Sequence, residues 1–188
     1  MSSDDAAYPG SMFSLTDHDL YVVTAHHAGR DNGQIATWIV PATLVPDQPR
    51  IVAVLSPQNF THTLIAPTQR FAISMLCEEQ YDLVPRFGLH SGRDGDKFNG
   101  VDVGRTASGL AVLTGGCGWA DCRIVQSMDA GDRMLYLADI VEQQVYVNRR
   151  PLRKQAAFAL QTTEVRAQLE EKHRRDGERD KALLRQFR

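Results

Sequence analysis

Ile124-Val125-Gln126-Ser127-Met128-Asp129-Ala130-Gly131-Asp132-Arg133-Met134-Leu135-Tyr136-Leu137 sets two β-forming runs on either side of one tight turn. The runs extend from Cys117 to Asp129 and from Arg133 to Val147, with Ala130-Gly131-Asp132 between them. Their β-branched and aromatic residues favour a pleated, half-buried surface. A separator this short folds the second run back antiparallel to the first.

Upstream, Asp19–Ala28, which contains Leu20-Tyr21-Val22-Val23-Thr24, reads as a strand. The cluster Gly29-Arg30-Asp31-Asn32-Gly33 reads as a turn, Asn-Gly being a strong hairpin signal, and Gln34–Val45 resumes as strand. Pro46–Pro49 breaks the chain before the apolar run Arg50–Ser56; Arg70–Leu76 and Leu110–Thr114 are further strands. Helical readings are short: Thr61–Ala66, and Glu78–Gly88 with Pro85 inside or just after it. Residues 88–109 are a Gly- and Asp-rich loop, long enough in a compact domain to be functional or mobile. Many strands, short turns and singly inserted helices predict a mainly β fold built as a closed antiparallel barrel.

The chain has 188 residues, enough for one well-cored domain. No apolar run approaches the roughly 20 residues of a membrane span. Met1-Ser2-Ser3-Asp4-Asp5 is acidic and polar, unlike a secretory signal, so a cytoplasmic location is expected. Cys77, Cys117 and Cys122 form no C-x-x-C and read as buried apolar thiols rather than metal ligands. His26 and His27 are adjacent and face opposite sides of a strand. His18, His62, His90 and His173 lack metal-ligand spacing. Hydrolase-elbow, Walker and dinucleotide-fingerprint motifs are absent from the sequence.

Charge is uneven. Residues 149–188 hold 12 Lys and Arg against 6 Asp and Glu, within a chain whose totals are 21 and 23. The signs are mixed in this tail and base-stacking aromatics are not interleaved, which argues against nucleic acid. From Ala156 the pattern reads as one charged helix, with a possible break near Gly177 and apolar positions at Val165, Leu169, Leu183, Leu184 and Phe187. Either it is solvated, or it lies as a basic arm on an acidic neighbouring subunit. The expected organisation is an irregular stretch over 1–12, a barrel domain over 13–155 and the helix over 156–188.

Two segments suit an anion. Ser91-Gly92-Arg93-Asp94-Gly95-Asp96-Lys97-Phe98 combines glycines, a hydroxyl and two cations in one loop. Ser56-Pro57-Gln58-Asn59-Phe60-Thr61-His62 runs from a strand into a helix start, where hydroxyls and free N–H groups receive phosphate. Each has an ordinary alternative: Asn59 and Thr61 suit a helix cap, Trp38 a core, Arg93 and Lys97 a solvated turn.

Taken in order with Asn32-Gly33-Gln34-Ile35-Ala36-Thr37-Trp38, these segments resemble the flavin reductase-like family, over roughly residues 10–150. That family carries an Asn-Gly-x-x-Ala-Ser/Thr-Trp strand, a strand ending in Ser-x-x-x-x-Thr-His, and a Gly-x-x-Gly-Asp-Lys-Phe loop. The resemblance implies a six-stranded split β-barrel with peripheral helices, binding FMN as a homodimer. It also implies hydride transfer from NAD(P)H to the flavin, then electron delivery to a small-molecule or protein acceptor. The alternative is an FMN-binding electron carrier fed by a protein partner. By the same resemblance the flavin is held by Gln34, Ile35, Ala36, Thr37, Trp38, Ser56, Asn59, Thr61, His62, Ser91, Gly92, Arg93 and Lys97. One departure stands out. Where the family has Gly-Asp-His and the histidine helps seat the nicotinamide, this chain has Gly131-Asp132-Arg133. Arg133 can meet a pyridine-nucleotide phosphate, or its presence can mark a different electron donor.

Overall fold

The computed structural model describes residues 12–184. The expected irregular stretch 1–12 therefore lies outside the described residues, apart from Met12 at the start of a 3-10 turn, Met12–Leu15. Strands β1 (Tyr21–His27) and β2 (Arg30–Ala36) form a hairpin in register from Tyr21↔Ala36 to His27↔Arg30. Its turn is Ala28-Gly29, at φ 49° and 76°, the two left-handed residues that a two-residue hairpin turn demands. This corrects the turn read over Gly29–Gly33. Asn32 and Gly33 are paired inside β2, because their buried partners outweigh the local turn preference of Asn-Gly.

After β2 come β3 (Ile39–Pro41), β4 (Arg50–Leu55), α1 (Phe60–Thr68), β5 (Arg70–Met75) and α2 (Leu83–Leu89). Then follow β6 (Val103–Arg105), β7 (Ala111–Leu113), β8 (Gly118–Asp129), β9 (Met134–Val145), α3 (Lys154–Ala159) and α4 (Thr163–Leu184). The long loop over 88–109 thus contains a short strand, β6, which pairs with β7 in a separate ribbon. Pro85 sits in the first turn of α2, where its missing N–H costs the helix nothing.

Seven strands form one antiparallel sheet in the order β2-β1-β5-β8-β9-β4-β3. The count exceeds the expected six because one strand is interrupted. β2 and β3 are successive stretches of chain; between them, at Thr37-Trp38, the chain leaves β1 and joins β4. The two edges of the curled sheet therefore belong to one broken strand, which is the split in the barrel. The bulged β8, with register shifts at Asp121/Cys122 and Ile124/Gln126, supplies bending.

The barrel interior is filled by small and branched side chains, among them Val23, Ala53, Ile73, Ala120 and Ala138, with Phe71 and Tyr136 as the large members. Helix α1 closes one end with Leu64 and Ile65. A second cluster lies outside β1, where Leu20, Val22 and Leu76 meet Val84 and Phe87 of α2 and Leu152 and Ala157 from the chain beyond the barrel. All three cysteines are free and buried, as their apolar reading required.

The tail differs from its expectation. Two helices replace the single one: the break falls at Leu160–Thr162, and α4 runs through Gly177 without interruption. Thr162 Oγ1 accepts from Val165 N–H at 3.3 Å and caps α4. The helix docks on α2 of its own chain, with Leu169 packed in the outer cluster beside Phe87. Val165 and Leu183 are half-buried and Leu184 is exposed, while Phe187 lies outside the described residues.

Candidate functional site

Strand alternation decides which β2 side chains reach the site. Gly33 and Ile35 face α2, and a side chain at Gly33 would press on Phe87 Cε1 at 2.8 Å. Ala36 belongs to the interior. Asn32 and Gln34 share its face and are buried at 2% and 7% exposure. Asn32 Nδ2 donates to Thr61 Oγ1 at 2.7 Å, tying β2 to the first turn of α1. The amide oxygens Asn32 Oδ1 and Gln34 Oε1 are buried without a partner. Such orphans cost free energy unless something donates to them.

These residues border a cavity of about 420 Å³ at the break between β2 and β3. Its walls come from Gln34–Trp38, from the end of β4 and the start of α1, from the loop after α2, and from α4. Every residue picked out for the flavin except His62 lines it, and so does Arg133. His62 points elsewhere: Nδ1 meets the Tyr136 hydroxyl at 2.6 Å, and burial pushes the imidazole below its ordinary value. On a helix, Thr61 and His62 stand about 100° apart, so only Thr61 turns toward the cavity.

The upstream anion segment is partly committed to itself. Ser56 Oγ accepts from Gln58 N–H at 3.3 Å. Asn59 occupies the N-cap of α1 but makes no side-chain cap bond, which leaves its amide to the cavity.

The downstream loop is pinned from below. Arg30 Nη2 donates to Gly92 O at 3.0 Å, and the Arg30 and Arg93 guanidinium groups stand 4.8 and 5.3 Å from the Phe60 ring centre. A side chain at Gly92 would run into Asn32 Oδ1, so the loop approaches β2 only because that position is glycine. Ser91 Oγ accepts from Arg93 N–H at 3.2 Å. Lys97 is not a solvated turn cation. It is 7% exposed, and its ammonium donates to Gly33 O at 2.8 Å. Burial, with Lys172 nearby, pushes its pKa down to about 8.

Arg133 is also engaged. Its guanidinium stands 5.5 Å from the Trp38 ring centre, and Nη1 donates to Asp180 Oδ2 at 2.7 Å. Sequence reasoning missed this α4 side of the cavity, where Lys172, His173, Asp176, Arg179 and Asp180 line the wall. It also missed Asn32 and Phe60. The Asn-Gly pair that hid Asn32 as a turn residue was the available signal for it. Among the described residues no group of three metal-ligating side chains occurs, and no helix is long and apolar enough to cross a membrane.

A split antiparallel barrel with a phosphate-suited loop and an amide-lined slot at its seam defines a flavin-binding class of protein. The flavin reductase like domain model matches residues 13–157. The chain belongs to the flavin reductase-like family. A high molecular weight rubredoxin of Moorella thermoacetica is 31% identical over 144 residues; the match covers 76% of this chain and 62% of that one. A ferric-chelate reductase (NAD(P)H) of Archaeoglobus fulgidus is 28% identical over 135 residues, covering 71% and 79%. The crystal structure of an FMN-binding protein from Thermus thermophilus superposes with a TM-score of 0.65 at 26% identity, covering 72% and 76%.

The residues present fit a flavin. Two orphaned amide oxygens can accept from polar hydrogens, the glycine cradle admits close approach, and the side chains of Arg93 and Lys97 line the same cavity.

Proposed function

We propose that this protein binds FMN in the cavity and acts as an NAD(P)H-dependent flavin oxidoreductase delivering electrons to a small-molecule or protein acceptor. The observation that carries this is the convergence of three separate segments, Gln34–Trp38, Ser56–Thr61 and Ser91–Lys97, on one cavity. Cavities of roughly 300–1,000 Å³ hold ligands of this size.

In this reading Arg93, Lys97 and the Ser91 hydroxyl hold the phosphate, with Gly92 giving the backbone room to approach. Ser56, Asn59 and Thr61 meet the ribityl chain. Gln34, Ile35, Ala36, Thr37 and Trp38 flank the ring, and Asn32 and Gln34 find donors for their orphaned oxygens. When bound, the flavin supplies the redox chemistry, and the protein binds, orients and shields. The name of the Archaeoglobus relative supports NAD(P)H as donor. A second reading, an electron carrier reduced by a protein partner, is favoured by one observation: Asp180 already occupies Arg133. We also propose a homodimer located in the cytoplasm.

The test begins with the visible spectrum of purified protein, which should show flavin bands and release FMN on denaturation. Arg93→Ala should weaken FMN about ten- to a hundredfold, the value of one charge-assisted contact, and leave riboflavin nearly unchanged. A colourless protein that also refuses added FMN overturns the proposal. Bleaching by NADH or NADPH alone selects the reductase over the carrier.

A further inference from the structure

Helix α4 lies beyond residue 157, where the family match ends, yet it forms one wall of the cavity. Its inward stripe runs Val165, Leu169, Lys172, Asp176, Asp180 and Leu183 at helical spacing; each is half-buried or buried. The stripe is apolar where it meets α2 and again at its far end, and charged where it crosses the cavity. A helix held only by packing would keep its stripe apolar throughout.

Asp180 is the fastener. It is 3% exposed although it carries charge and sits among exposed neighbours. Oδ2 accepts from Arg133 Nη1 at 2.7 Å, and Oδ1 accepts from Arg179 Nε and Nη2 at 2.9 and 2.8 Å. Asp132 also faces Arg133, at 3.2 Å. A buried carboxylate is tolerated only with such partners. Arg133 immediately precedes β9, so this contact fastens the far part of α4 to the barrel rim, while Leu169 fastens the near part to α2. Lys172 and Arg179 both reach Asp176, at 2.5 and 3.1 Å, which orders the helix face between the two anchors.

We propose that α4 is a clasped wall which retains the flavin: a flavin seated against Gln34–Trp38 leaves only after the Asp180–Arg133 contact opens. The inference rests on the flavin reading above. It assigns Asp180 as a positioning residue and makes the flavin a resident group rather than a substrate that comes and goes.

The test compares full-length wild type, Asp180→Ala and Asp180→Lys with the control Glu178→Ala, whose partner Lys181 lies on the same exposed helix face. Two readouts are taken: amide hydrogen exchange across 163–184 without flavin, and the FMN dissociation rate after dilution, followed by flavin fluorescence. Both Asp180 variants should speed exchange in α4 while the barrel strands stay protected, and should speed FMN release at least tenfold. Glu178→Ala should match wild type in both. FMN release within twofold of wild type, in variants whose α4 exchanges faster, overturns the retention role. Free exchange of α4 in wild type overturns the docked wall itself. If wild type binds no FMN, the functional reading fails and the retention role with it, and that failure is recognisable because α4 exchange still reports the clasp.

Discussion

Lys97 shows how one residue's surroundings set its chemistry. Its ammonium is buried against Gly33 O, and desolvation pushes its pKa down to about 8. An anion docking beside it favours the charged form and draws that pKa back up. Above pH 8, binding of the dianion therefore takes up a proton. FMN affinity should be full below pH 8 and fall as the pH rises through 8 toward the pKa of the bound state, by up to about tenfold per pH unit. Riboflavin, which lacks the phosphate, should show a flat profile between pH 7 and 9.5. Equal slopes for the two ligands would place Lys97 in folding rather than in phosphate recognition. The lysine was legible in sequence as a cation in a glycine loop; its burial was not, because the carbonyl that holds it belongs to a strand 64 positions away. His62 lies off the cavity for a local reason: adjacency in sequence to Thr61 says nothing about facing, and helical geometry turns the two apart.

Among the elements, the β1–β2 hairpin carries a small defect. Ala28 is exposed and held at φ 49°, a conformation that costs an L-residue with a Cβ roughly 1–2 kcal/mol and that asparagine tolerates better. Ala28→Asn should stabilise the protein by about 0.5–1 kcal/mol and raise Tm by about 1–4 °C in a chain of this size. Calorimetry reads this directly, and an unchanged or lower Tm contradicts the turn geometry. The strands were legible because alternation and turn residues are local signals. The position of the hairpin turn was not, since Asn32 answers to Thr61 and Gly33 to Phe87. The site's fourth wall was hidden for a related reason. Apolar periodicity in α4 is interrupted between Leu169 and Leu183, and Lys172, Asp176 and Asp180 look like a solvated face until Arg133 is placed opposite them.

For the whole molecule, several of the exposed apolar residues stand along the paired strands β8 and β9, with another on the edge strand β3. Val125 and Met128 on β8 are 44% and 56% exposed, Val141 and Val145 on β9 are 45% and 66%, and Val40 on β3 is 53%. Exposed apolar side chains are where a partner surface would bind, and the proposed homodimer would cover them. Light scattering should return twice the 21.0 kDa chain mass. Met128→Lys together with Val145→Lys should shift it toward the monomer while far-ultraviolet circular dichroism stays unchanged. Monomer mass for the wild type at micromolar concentration removes the dimer.

The interrupted strand at Thr37-Trp38 has a consequence for the order in which the chain takes shape. β8 and β9 are joined by a short connection and can meet early. Pairing β4 with β9, by contrast, brings Arg50 to Asp139, 89 positions away. That closure carries its full entropic cost before the contacts it permits can offset it. Topologies dominated by such distant pairings reach the native state over milliseconds to seconds. The seam joins when β2 has found β1 and β3 has found β4, and the cavity exists only once both have. A nascent chain thus has no cavity in which the proposed flavin could lodge until the ring is complete.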